Sequence, residues 1–227
     1  MSNLIELKNL SKTFFTKKKV NVLKKINFKF KLGKVYSLIG PSGSGKSTLL
    51  NILSLIDRPT SGSVKFENNE INFNNNHKND IFRANNIGII YQQDNLLPDF
   101  TALENVYFAC LAAGYKKEDA TNKAKGILKK VGLLSRLDHY PNELSGGEKQ
   151  RVSISRAIIN EPKIILADEP TGSLDKKTSD EIFGLLKKQI NPKRLIIFAT
   201  HNRFLANKSD CLLEIVDGNI KSTNARV

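Results

Sequence analysis

Between Val35 and Ile56 the chain reads VYSLIGPSGSGKSTLLNILSLI. The first five residues of this stretch, VYSLI, form a run that suits a strand covered on both faces in the middle of an α/β sheet. The leucines and isoleucines from Ser47 to Ile56 have helical spacing, and the stretch ends near Asp57, Arg58 and Pro59. The turn between them, GPSGSGKS from Gly40 to Ser47, matches G-x-x-x-x-G-K-[ST] in the strand-then-helix context that this motif requires. Gly40, Gly43 and Gly45, with Pro41, Ser42 and Ser44 between them, let successive backbone N–H groups turn toward one concavity. The helix N-terminus adds partial positive charge, so the turn suits a polyphosphate. Lys46 is placed to reach the β and γ phosphates as a point charge. Ser47 offers a small hydroxyl for one position of an octahedral Mg²⁺ shell, and Thr48 assists at the α phosphate.

Other segments imply a second kind of sheet. INFKFKL, from Ile26 to Leu32, alternates apolar and polar residues like an antiparallel strand with one wet face. KIILA (Lys163 to Ala167) and RLIIFAT (Arg194 to Thr200) read as buried parallel strands with a helix between them. From Thr101 to Gly132 two helices are expected, divided near Gly114, forming a helical lobe. The asparagine-rich stretch from Phe66 to Asp80 reads as a surface loop with short strands, and its His77 has no role. LLEIVDGNIKS makes a hairpin around Asp217 and Gly218. The fold class is therefore α/β with an antiparallel portion and a helical portion.

At 227 residues the chain can bury a substantial core, as one large domain or a domain with a lobe. It has no secretory leader pattern and no apolar run near the ~18 residues of a membrane span, so a cytoplasmic location is expected. Cys110 and Cys211 have neither paired-motif spacing nor metal-ligand neighbours, and both are read as buried thiols in a reducing compartment. The net charge is +14, and residues 1–50 hold eleven lysines against one acidic residue, Glu6. Such a basic face suits nucleic acid, anionic headgroups or a nucleotide, while Lys17, Lys18 and Lys19 also fit a solvated loop.

Two further features carry chemistry. KIILA runs into Asp168 and Glu169, adjacent carboxylates at the end of a buried strand, where an α/β sheet places its ligands. Asp168 is suited to hold Mg²⁺ through water, and Glu169 to orient and activate an attacking water. LSGGEKQRVSISRA, from Leu144 to Ala157, sets a serine and two glycines ahead of a helix expected to begin near Glu148. Paired glycines at a helix entrance indicate a close approach to the backbone.

In this order the pieces resemble the ATPase subunit of ABC transporters from Leu4 to Gly218. LSGGEKQ is similar to the family signature, GPSGSGKS to its phosphate loop, and IILADE to its carboxylate strand. Gln92 matches its glutamine loop, Ser173 to Asp175 its dimer-facing loop, and His201 its switch histidine. The resemblance implies a P-loop ABC-type nucleotide-binding domain over residues 1–227. It would have a RecA-like core, an antiparallel β subdomain and an α-helical subdomain inserted at roughly 91–162. It also implies ATP and Mg²⁺ as cofactors and a homodimer in which Ser145, Gly146, Gly147 and Asp175 approach ATP in trans. Gln92 would sense Mg²⁺ beside Ser47 and Asp168, and His201 would hydrogen-bond the γ phosphate and help hold Glu169 and the water. Phe14 falls where the family stacks a tyrosine on adenine. The adjacent Phe15 competes for that place, and core packing is the alternative for either ring.

DNLLPDFTALENV, from Asp94 to Val106, with DEPTGSLD, most resembles the lipoprotein-release and macrolide-export group, and LLPDFTALENV the lipoprotein-releasing subunit within it. Leu96, Leu97 and Phe100 would contact an integral membrane subunit or else pack the lobe. The subunit would sit peripherally on the cytoplasmic face of the inner membrane. A cell-division-type complex is an alternative. Nucleic-acid-associated relatives carry tandem units or a long coiled-coil insert, which this chain lacks, so no nucleic-acid partner is expected.

Overall fold

The computed structural model describes residues 3–15, 18–172 and 174–225, so Lys17 and Ser173 lie outside the described residues. The first elements are β1 (Asn3–Phe15), β2 (Lys19–Lys31), β3 (Val35–Ile39), α1 (Lys46–Leu53), β4 (Ser61–Phe66), β5 (Asn69–Glu70), α2 (Asn76–Asn86) and β6 (Ile87–Ile90). There follow α3 (Ala102–Ala112), α4 (Lys117–Lys130), α5 (Gly146–Ile158), β7 (Ile164–Asp168), α6 (Lys176–Lys187), β8 (Leu195–Ala199), α7 (Arg203–Ala206), β9 (Cys211–Val216) and β10 (Asn219–Ala225). They fall into two compact units, Met1–Asp80 with Ile190–Val227, and Ile81–Gln189.

The first unit contains both expected kinds of sheet. Its antiparallel layer has the order β2-β1-β4-β5. The alternation in INFKFKL places Ile26 and Phe30 in the core while Lys29 and Lys31 face water. Beside that layer in sequence, β3 pairs in parallel with β8 on one side and β9 on the other, and β10 closes the hairpin on β9. Every residue of β3 and β8 is buried, as suits their largely apolar side chains, and the hydroxyl of the fully buried Ser37 in β3 donates from Oγ to Ala206 O at 3.1 Å. Asp217 and Gly218 both take positive φ, 50° and 76°, the combination that a tight two-residue hairpin turn needs.

In the second unit β6 and β7 pair in parallel, with Ile90 opposite Ala167. The helices α3, α4 and α5 share a core built from Ala102, Val106, Cys110, Ala124, Leu128 and Val152 among others. Small residues at Ala102, Ala120 and Ala124 are fully buried and let the helices approach closely. Thr101 and Glu104 form a reciprocal capping box at the start of α3. Left-handed Gly114 and Gly132, at φ 90° and 77°, lie just beyond the ends of α3 and α4.

Four expectations are corrected. The stretch from Phe66 to Asp80 contains the strand pair and the start of an eleven-residue helix, α2. Asn75 Oδ1 accepts from Lys78 N at 3.1 Å, an asparagine cap that starts the helix without an apolar stripe. Helix α1 stops at Leu53, before Leu55, whose φ of 60° no right-handed helix accommodates. Helix α5 begins at Gly146, two residues earlier than expected, because Ser145 is its cap. Cys110 is buried but Cys211 only half-buried, and burial raises the pKa of both thiols.

Candidate functional site

The phosphate loop leaves the end of β3 in the first unit. Gly40, Gly43 and Gly45 all take positive φ, 146°, 75° and 107°. A Cβ at Gly40 would lie 2.3 Å from the Ile215 carbonyl oxygen and 2.9 Å from Ser44 Oγ, so a side chain there would force the loop apart. Gly45 occupies the cap position of α1 with no side-chain cap, which leaves the first-turn N–H groups directed to whatever enters the loop. Lys46 is 6% exposed, and its Nζ donates to the carbonyls of Gly40 at 2.9 Å and Pro41 at 3.0 Å. Ser44 Oγ is buried within the loop with no hydrogen-bond partner among the described residues. A buried hydroxyl in this state, beside a lysine and open helix N–H groups, fits a phosphate oxygen. Ser47 is exposed and Thr48 half-buried on the first turn of α1.

Strand β8 brings His201 to the same edge. Thr200 N donates to Leu38 O at 3.1 Å, tying the end of β8 to the penultimate residue of β3. His201 is exposed one residue beyond, and Asn202 Oδ1 caps α7 through Phe204 N at 3.0 Å. Phe14 and Phe15, at the end of β1, are 40% and 76% exposed, so neither packs in the core. Lys12 Nζ lies 4.8 Å from the Phe14 ring centroid while bonding Asp57 at 2.6 Å. The packing alternative for these two rings is thereby removed.

In the second unit, parallel pairing of β6 with β7 delivers Gln92 and Asp168 to one edge. Asp168 ends β7, and Glu169 follows in the left-handed region at φ 46°. The turn closes when Gly172 N donates to Glu169 O at 3.0 Å. A Cβ on Gly172 would stand 3.3 Å from Gln92 Nε2 and 3.4 Å from Glu169 Cβ, so the amide of Gln92 lies against the turn that presents Glu169.

The signature is held by a capping box. Ser145 Oγ accepts from Glu148 N at 3.3 Å, and Glu148 Oε2 accepts from Ser145 N at 2.8 Å. Arg136 Nε donates to Glu148 Oε1 at 3.0 Å. The Ser145 backbone N–H, followed by the Arg136 guanidinium, lowers the Glu148 pKa to about 2. Asp175 caps α6, accepting from Thr178 N at 3.1 Å and Thr178 Oγ1 at 2.6 Å, and these bonds lower its pKa. That bonding also fixes the Thr178 methyl, Cγ2, which a Cβ on Gly147 would meet at 2.8 Å. One glycine of the pair is thus required by packing inside the chain. Ser145, Gly146, Gly147 and Asp175 line a single cavity of about 410 Å³ together with Arg151 and Thr178.

Around the glutamine loop, Leu96 packs against the helical core, whereas Leu97 and Phe100 are 44% and 37% exposed. Asn105 is buried and shapes this loop, accepting from Leu97 N at 2.7 Å and donating to the carbonyls of Leu97, Phe100 and Thr101. Sequence reasoning assigned no role to Asn105 or to Gln150. Gln150 is 4% exposed, and its Nε2 donates to Pro170 O at 2.9 Å and Tyr91 O at 3.3 Å. The readable signal was a polar residue four and seven places before Ile154 and Ala157, on the helix face that both of them bury.

Comparison with known proteins follows the same lines. A family model described as ABC transporter matches residues 23–172. The lipoprotein-releasing system ATP-binding protein LolD of Geobacter metallireducens is 46% identical over 223 residues, 97% of this chain and 99% of that protein. LolD of Rickettsia bellii is 47% identical over 221 residues, covering 96% of this chain and 98% of that protein. Among solved structures, the dimeric cassette MJ0796 in a post-hydrolysis state bound to ADP and Pi superposes with a TM-score of 0.91 at 37% identity. That match covers 99% of this chain and 100% of the other.

Proposed function

This chain belongs to the ABC transporter family of ATP-binding proteins, and on that premise we propose that it is the ATPase of a lipoprotein-releasing system. Two copies bind Mg-ATP head to tail and drive integral membrane subunits from the cytoplasmic face of the inner membrane. No helix among the described residues is long and apolar enough to cross a membrane. Residues 1–227 are taken as one ATPase domain whose helical subdomain, roughly 91–162, carries α3, α4 and α5.

The observation that carries this reading is a pair of helix N-termini: the uncapped glycine cradle ahead of α1, and the cavity lined by Ser145, Gly146, Gly147 and Asp175 at the capped start of α5. Each is suited to one side of the same triphosphate. In the cradle Lys46 exchanges two carbonyl partners for β and γ phosphate oxygens, and Ser44 Oγ gains an acceptor. Phe14 offers its exposed face to adenine. Ser47, Gln92 and Asp168 supply the hydroxyl, amide and carboxylate oxygens that a hard cation such as Mg²⁺ prefers. When bound, the ion offsets charge on the β and γ phosphates. Glu169 takes a proton from the attacking water, and His201 holds that water and the γ phosphate in place. From the partner copy, Ser145 and the bare backbone of Gly146 and Gly147 close over the γ phosphate.

Two variants test the assignment. Lys46→Ala loses nucleotide binding, whereas Glu169→Gln keeps binding, stops hydrolysis and accumulates as an ATP-bound dimer by light scattering. Normal turnover by Glu169→Gln, or a monomer under saturating Mg-ATP, refutes the reading. Co-purification of multispan subunits with large extracytoplasmic domains tests the lipoprotein-release assignment.

A further inference from the structure

We propose that Gln150 is a positioning residue that couples the signature helix to the two backbones presenting the catalytic groups. The inference rests on the ATPase reading above, since it assigns Gln150 a task in that reaction. Its carboxamide is almost completely buried, yet both of its donated bonds go to backbone carbonyls outside its own helix. Tyr91 immediately precedes Gln92, and Pro170 immediately follows Glu169. One side chain therefore ties together the approach to the glutamine loop and the departure from the base.

The choice of residue follows from the acceptors. Two carbonyl oxygens facing one point demand a group with two N–H donors, which the glutamine amide has and a carboxylate lacks. The bond to Pro170 is fully buried, so leaving that carbonyl unbonded is costly and the contact is not incidental. The base is also where the backbone is strained. Glu169 stands at φ 46°, and a left-handed side-chain residue persists only where its surroundings over-determine it. Two bonds bracket that residue: Gly172 N to Glu169 O, and Gln150 Nε2 to Pro170 O. Helix α5 is a rigid rod, and Gln150 lies five residues, about 7.5 Å of rise, beyond the Ser145 cap. A phosphate engaged at that cap moves the helix, and with it the carbonyls beside Gln92 and Glu169. Gln150 touches no substrate and acts through these two segments.

The test uses the full chain with Gln150→Met, which keeps length and loses both donors, and Gln150→Glu, which keeps shape and places oxygen against the carbonyls. Expected for both is a kcat lower by about tenfold to a hundredfold, the effect of misplacing a catalytic group by about 1 Å. KM and ATP affinity should stay within about twofold of the parent. In the Glu169→Gln background the same substitutions leave the ATP-bound dimer as abundant as before, because no base remains to position. Unchanged kcat overturns the proposal, as does a loss of kcat that merely tracks lost nucleotide affinity and a lowered Tm. Should the Met variant precipitate, the Glu variant carries the same readings, and precipitation of both overturns positioning in favour of a purely structural role. An inactive parent chain would sink the ATPase reading itself, whereas an active parent with indifferent Gln150 variants sinks only this inference.

Discussion

Glu169→Gly compared with Glu169→Ala measures how much free energy the fold stores at the base. Both variants remove the carboxylate, so its contacts cancel from the comparison and only the backbone differs. With φ at 46°, an alanine keeps the clash between Cβ and the following carbonyl, about 1–2 kcal/mol, which glycine lacks. Glycine in turn gives the unfolded chain more freedom, which offsets about 0.5–1 kcal/mol of that gain. The net expectation is that Gly is more stable than Ala by about 0.5–1 kcal/mol, or roughly 1–4 °C in Tm for a chain of this size. The Gly172 N–H bond to residue 169 is kept in both, since it uses only the backbone. Urea unfolding followed by circular dichroism, with scanning calorimetry in parallel, reads the difference. Neither variant should hydrolyse ATP, and both should still form the ATP-bound dimer. If Ala proves as stable as Gly, the left-handed backbone stores no strain and the reason given for the Gln150 clamp fails with it.

Two further outcomes are expected. Asn105→Leu keeps the buried volume but removes the bonds that shape the loop from Leu97 to Thr101. Stability should fall by about 2–3 kcal/mol, and hydrogen exchange should quicken at residues 97–101, with ATP affinity unchanged; protection equal to the parent's would refute the assignment. Acid supplies the other case. The folded pKa of Glu148 lies below its ordinary 4.5, at about 2, so its contribution is full above about pH 4.5 and is lost as pH falls toward 2. With the side chain 19% exposed, solvent screening reduces that contribution to about 1–2 kcal/mol. Urea midpoints should therefore separate the parent from Glu148→Gln at pH 7 and converge near pH 2, and a gap that persists there would count against the capping box as its source.

What the sequence determined by itself is local in range. The cradle from Gly40 to Ser47 was legible because glycine spacing, a preceding apolar strand and a following helix all lie within a few residues. The same holds for the Asp217–Gly218 turn, and the caps at Thr101 and Ser145, though not read from the sequence, had their glutamates only three residues on. Even the helix missed at Asn76 had its signal next door, in the Asn75 cap. These features depend on backbone bonds closing over three or four residues, which composition and order control directly. Tertiary structure alone decided the rest. The left-handed base, the collision awaiting a side chain at Gly147, the exposure of Phe14 and Phe15, and the burial of Gln150 all depend on which segments pack together. Strand pairing sets those neighbours: β6 beside β7 brings Gln92 against the Glu169 turn, and β3 beside β8 brings His201 to the edge of the cradle. Register between segments far apart in the chain is a sum of many weak contacts, so no single stretch of residues encodes it.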